Sequence, residues 1–132
     1  MKYGIAFFAT IATMVLLDMA WFKLVMGSLF RSELGDAVLP SPRMLAAIAF
    51  YIVYSIGIVV FVVYPAQSST WERTLLLGAL LGFVAYGTFD LTNMATLKIW
   101  TWKVTVIDIL WGAFATAASA MAGRTALALA AR

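Results

Sequence analysis

Four apolar stretches, each close to the roughly 20 residues that a helix needs to cross a bilayer, dominate this chain of 132 residues. They run over residues 3–22, between Lys2 and Lys23; 44–64, between Arg43 and Pro65; 73–97, closed by Lys98; and 104–122, between Lys103 and Arg124. The composition agrees: 64% of residues are hydrophobic and 11% charged, against about half and about a quarter in soluble domains. A soluble protein of this size could not cover so much apolar surface. The fold class is therefore all-α and integral to the membrane. Residues 1–132 are read as one domain of four transmembrane helices, and its two short connections predict an up-down-up-down bundle. The first stretch follows a positive start, as a signal peptide would. But Asp18 and Trp21 end the run, no small-x-small cleavage site follows and three more stretches come after, so it is read as a span.

Punctuation at the borders supports these limits. Ser41-Pro42 supplies a capping hydroxyl and a first-turn proline before the second span, and Ser69-x-x-Glu72 matches a capping box before the third. Trp71, Trp100 and Trp102 fall where interfacial aromatics belong. In the long first connection, residues 27–41, Leu29, Phe30, Leu34 and Val38 are interleaved with Arg31, Glu33 and Asp36. That spacing predicts a short amphipathic helix on the membrane surface, with a plain polar linker as the alternative. Orientation stays open. Lys23, Arg31, Arg43, Lys98 and Lys103 lie on one side and Lys2, Arg73, Arg124 and Arg132 on the other. That margin is too small for the positive-inside rule, and it leaves dual insertion open as well.

The chain has no cysteine and no histidine. This removes disulfides, Fe–S clusters, thiol nucleophiles, His-ligated haem, His-box di-iron centres and the Ser-His-Asp triad. No cofactor is expected. A metal would have to be a hard cation such as Mg²⁺ on oxygen ligands. The nine Lys and Arg are spread along the chain as membrane-flanking charges, so no nucleic-acid partner is expected.

Three of the six acidic residues, Asp18, Asp90 and Asp108, lie inside apolar spans. Alternating topology converts their positions into depths. Asp18 precedes Lys23 by about 7 Å of helix rise, Asp90 precedes Lys98 by about 12 Å, and Asp108 follows Lys103 by about 7 Å. All three fall in the same half of the bilayer, toward the first and third connections. On a helix, neighbours are three or four residues apart. Asp18 therefore accompanies Trp21, Asp90 accompanies Tyr86 and Asn93, and Asp108 accompanies Trp111 and Gly112. Thr88, Thr92 and Thr96 form a second polar stripe on the third span. An unpaired charge within a span costs about 2.5–3.5 kcal/mol on insertion scales, so these faces are expected to turn inward and meet. Carboxylates crowded away from water cannot all stay ionised. Two states follow: an acid pair that holds a proton, or an acidic cup relieved by a cation or by Lys23, Arg31 or Lys98 reaching in. The plainer reading is that such polar groups bond neighbouring helices, at about 0.6 kcal/mol each. Gly78-x-x-x-Gly82 is read as packing. Tyr51 and Tyr54 could line a site, but packing is their commoner role.

The run AYGTFDLTNMATLKIW, followed by VTVIDILWGA, resembles a family of small four-span bacterial integral membrane proteins carrying a domain of unknown function. The likeness extends over most of the chain and includes the Asp-x-x-Trp of the first span, FRSELG in the first connection and FYIVY at the start of the second span. It implies four spans, a bacterial inner membrane and, from family members near genes for light or oxidative stress and fatty-acid modification, a link to lipids. It implies no activity. On that likeness Asp18, Asp90 and Asp108 are the candidate catalytic groups. Trp21, Arg31, Tyr51, Tyr86, Thr92, Asn93, Lys98 and Trp111 are the candidate substrate-binding residues.

Three functions compete. The first is a membrane-embedded site that binds or modifies a lipid or other amphiphile, using carboxylates for acid–base work. The second is proton- or cation-coupled transport, which would suit a homodimer such as small multidrug transporters form; those proteins, however, centre on one mid-span Glu. The third is an accessory subunit of a larger membrane complex.

Overall fold

A computed structural model describes all of residues 1–132. It is helical throughout, without strands, and its four long segments are Lys2–Ala37, Met44–Ala66, Trp71–Thr96 and Trp102–Ala130. Each is long and apolar enough to cross a membrane. The expected four-span, all-α architecture is thus present. In a helix every mid-span backbone N–H and C=O is bonded within its own segment, as a hydrocarbon environment requires.

The first span departs most from expectation. Its α-helix, Lys2–Trp21, does not stop at Lys23. It continues through a π-turn, Phe22–Met26, into a second helical stretch, Gly27–Leu34, and a single 3-10 turn, Gly35–Ala37. Those 36 residues would reach about 54 Å at 1.5 Å per residue, well beyond a hydrocarbon core of about 30 Å. A helix in the first connection was expected, but as a separate surface element that included Val38. It is instead an extension of the first span that stops before Val38. One lysine does not break a helix, because its side chain leaves the backbone ladder intact. The break comes at Gly35, the only residue with φ in the left-handed region, at 56°, where glycine alone is unstrained. Gly27 is required by the π-turn: a Cβ there would lie 2.7 Å from the carbonyl oxygen of Phe22.

Two expected caps shift. The second span starts at Met44 with Arg43 at its N-cap and no side-chain cap, so Ser41-Pro42 lies just outside the helix. The third span is capped by Thr70, whose hydroxyl accepts from the backbone N–H of Arg73 at 3.4 Å, and not by Ser69. Thr101 plays the same role for the fourth span, accepting from Val104 N–H at 3.2 Å.

The fourth span is the centre of the bundle, packed along both the third and the first. Small residues allow the approach. A Cβ on Gly78 would come 2.8 Å from the Cα of Ala117, one on Gly82 would collide with the carbonyl of Gly112, and one on Gly123 with the hydroxyl of Thr10. The second span is the least embedded. Its Met44–Ile58 portion leans on the first span and barely touches the third, while its π-turn, Val59–Val63, packs on the first, third and fourth. Two apolar clusters result. Ala6, Ile58, Val62, Val63, Ala120 and Leu127 fill the half nearer the second connection. Met26, Leu29 and Val104, with Trp21, Phe30 and Trp100 against them, close the other end.

Candidate functional site

Between those two clusters lie the three aspartates. Asp18 is 6% exposed, Asp90 0% and Asp108 8%. Each comes from a different span, and the inward turn expected of them is realised. Asp18 is held at both oxygens: Tyr51 donates its hydroxyl to Oδ2 at 2.7 Å, and the indole N–H of Trp111 donates to Oδ1 at 2.9 Å. The two Asp-x-x-Trp motifs therefore cross over, since the tryptophan of the fourth span serves the aspartate of the first. Trp21 completes the crossing by stacking on Trp111, with ring centroids 4.4 Å apart and planes 3° from parallel.

The other two aspartates form a pair. The carboxyls of Asp90 and Asp108 lie within reach of a mutual hydrogen bond. Neither oxygen of Asp90 has a donor from any other group. The Trp100 indole N–H lies near Asp90 without closing a good hydrogen bond. Carboxylate oxygens only accept, so a bond between two carboxyls requires that one carry the proton. Such a proton would make the two carboxyls the acid pair, the first of the two states expected from the sequence. No three acidic side chains converge closely enough to hold one metal ion between them.

Tyr86 packs over Gly112, whose missing side chain makes room for the ring, and stands edge-on to Tyr54 at 6.0 Å. Tyr54 in turn shares a 2.7 Å hydrogen bond with Thr116. Asn93 is half-buried one turn from Asp90. The candidates thus divide. Asp18, Trp21, Tyr51, Tyr86, Asp90, Asp108 and Trp111 come together, with Asn93 at the edge. Arg31, Thr92 and Lys98 do not: all three are exposed on the outside of the bundle. The expectation that the threonine stripe turns inward fails. Thr88 and Thr96 are also exposed, and their hydroxyls donate to carbonyls one turn back, Val84 at 2.6 Å and Thr92 at 2.8 Å. A threonine bonded in this way tolerates an apolar environment without a partner helix. Lys23 is exposed as well, so the expected basic relief from Lys23, Arg31 or Lys98 does not reach the acids. Tyr54 and Trp100 are the neighbours that sequence reasoning set aside, as packing and as an interfacial anchor. Their spacing from the acids along the chain gave no sign of contact, because they approach from other elements.

An aromatic layer seals the site toward the first and third connections. Phe30, on the extension of the first span, packs on Trp100 at 6.2 Å, and Trp100 meets Phe89 edge-on at 5.6 Å. The helical extension thus covers the acids.

A family described as "Predicted membrane protein (DUF2177)" matches this chain over residues 3–125. Neither the curated proteins nor the solved structures contain a match to it.

Proposed function

For a chain that belongs to this family of predicted membrane proteins, we propose that the Asp90–Asp108 pair is the working acid–base group of a site that binds or modifies a lipid or other amphiphile. The observation that carries the reading is Asp90: wholly buried, with no hydrogen-bond donor to either oxygen and the Asp108 carboxyl as its charged neighbour. A carboxyl pair that shares one proton gives or takes it without histidine or cysteine. Buried ionisable groups in a span are costly, which favours a working role over a decorative one. Asp18 has a different part. With both oxygens held by Tyr51 and Trp111, it fixes the aromatic wall and acts as a positioning residue.

The surroundings favour an amphiphile. Where the π-turn of the second span meets the third, an apolar groove of about 250 Å³ is lined by Phe61, Val62, Leu77, Leu80, Leu81 and Val84. The groove has the apolar lining that an acyl chain needs, on a face of the third span about 200° around the helix from Tyr86. Transport is the less favoured reading. It needs a path to the opposite face, and there Ala6, Thr10, Met14, Ile58, Ser119 and Ala120 are all wholly buried in close packing. Helical spans suit the bacterial cytoplasmic membrane, since outer-membrane proteins cross as barrels.

Asp90→Asn tests the proposal. The amide keeps the shape and can still bond to Asp108, but it cannot exchange the proton. The variant is expected to insert and fold, and to reproduce the lipid profile of a deletion strain. If deletion leaves the membrane lipids unchanged, the reading fails.

A further inference from the structure

At the far end of the bundle from the aspartates, the ends of the spans border an open cleft of about 320 Å³. Its polar wall is basic. Lys2, Arg124 and Arg132 line it together with Gln67, and no Asp or Glu does. Met121 and Leu127 belong to its apolar wall.

No acidic side chain lines the cleft to neutralise the basic groups. Arg124 donates one N–H to the carbonyl oxygen of Ser69. A guanidinium has five donors, so four remain for a ligand. The Lys2 ammonium stands 5.2 Å over the Tyr3 ring, a contact that positions it without cancelling its charge. Gln67 is held at the wall by Tyr3, to which its amide donates at 3.2 Å, and by the Tyr64 carbonyl at 3.0 Å. The Tyr3 and Tyr64 rings pack 5.6 Å apart. These contacts join the ends of the first and second spans into a fixed wall, and the Arg124 bond ties in the approach to the third.

We propose that this cleft binds the phosphate head of an anionic phospholipid from the surrounding bilayer. Guanidinium and ammonium donors match phosphate oxygens, and the apolar wall beside them matches the first carbons of an acyl chain. The location at the span ends is the depth at which lipid phosphates lie. Each basic group near a membrane surface strengthens binding to anionic lipid about five-fold. The site is separate from the acids, and its occupation does not depend on the proposal for Asp90.

Native mass spectrometry of the purified protein, titrated with phosphatidylglycerol or phosphatidylcholine, tests it. Wild type is expected to retain phosphatidylglycerol in clear preference. Lys2→Ala is expected to weaken that preference about five-fold, and Lys2→Ala with Arg124→Ala about twenty-five-fold. Because Arg124 also bonds Ser69, the Lys2→Ala variant, which removes only an exposed side chain, is decisive should the double variant fail to fold. Equal retention of the two lipids, or an unchanged preference in Lys2→Ala, would overturn the proposal. So would displacement of the lipid by millimolar inorganic phosphate, which would point to a soluble anion as the ligand.

Discussion

The two ends of this bundle solve the problem of burying polar atoms in opposite ways. At the acid end, side chains reach across the molecule: Tyr51 and Trp111, 33 and 93 residues from Asp18 in the chain, both donate to it. At the other end, inside the Tyr3–Gln67 and Arg124–Ser69 contacts that close the spans, the buried polar groups are small. Thr10 donates to the carbonyl of Ala6 on its own helix, at 2.8 Å, and Ser119 reaches only the Met14 sulfur, at 3.5 Å. There the helices touch backbone to backbone through Gly78 and Gly82. The difference separates what builds the bundle from what the bundle holds. Close glycine contacts have no adjustable part, whereas the aromatics around the carboxyls meet through side chains with rotatable bonds.

Substituting glycines of one helix is the strongest way to break that comparison. Gly82 lies against the Gly112 carbonyl, and a Cβ there has no place to go because the obstacle is backbone. Gly82→Leu is expected to cost more than about 3 kcal/mol, at or beyond the upper end of ordinary overpacking, and to yield protein that does not run as a monodisperse species in detergent. Gly87 is also buried on the third span, but at the acid end, and a Cβ there would meet nothing within 4 Å. Gly87→Ala is expected to fold and to gain up to about 1 kcal/mol from helix propensity. If both variants fold equally well, the two ends do not differ in how tightly their backbones pack.

The next largest effect tests whether the acid end is held together by its carboxylate. Asp18→Leu leaves two half-buried donors, the Tyr51 hydroxyl and the Trp111 indole, without an acceptor. A buried group left unpaired costs about 1–3 kcal/mol, so the variant is expected to lose about 3 kcal/mol in denaturant titration. Trp111→Phe removes one hydrogen bond and part of the stack on Trp21, for about 1–2 kcal/mol. Near-ultraviolet dichroism should report the lost stack. A stable Asp18→Leu with an unchanged aromatic signal would mean that the aromatics pack without the acid.

Much of this architecture is legible in the chain alone. Hydrophobic runs bounded by Lys, Arg and Pro mark the four spans to within a few residues at most ends, because the cost of burying charge in hydrocarbon is large and local. Depth alone puts Asp18, Asp90 and Asp108 at one end. What escapes is of a different kind. That Trp111 serves Asp18 and not its own neighbour Asp108 depends on the rotation of two helices about their axes, which a near-uniform apolar surface does not specify. The outward turn of Thr88, Thr92 and Thr96 escapes for a related reason. A helix carbonyl satisfies a threonine hydroxyl as well as a neighbouring helix does, so a polar stripe does not reveal its facing. The extension of the first span past Lys23 escapes because a lysine near the end of a span reads as a boundary, while the backbone runs on to Gly35.

The smallest effects sharpen the comparison further, since they concern hydroxyls in each setting. Ser55 and Thr74 are buried with hydroxyls that have no partner. Thr92 is exposed on the outside of the third span. Replacing a buried, unpaired hydroxyl by a methyl of the same shape removes a desolvation penalty and loses no bond, so Thr74→Val is expected to stabilise the protein by about 1 kcal/mol. Thr92→Val exchanges one outward-facing group for another and is expected to stay within about 0.5 kcal/mol. Both are read as shifts in thermal midpoint in the same detergent. If Thr74→Val destabilises, its hydroxyl has a partner in the membrane, and the half of the bundle held by apolar packing carries a polar contact of its own.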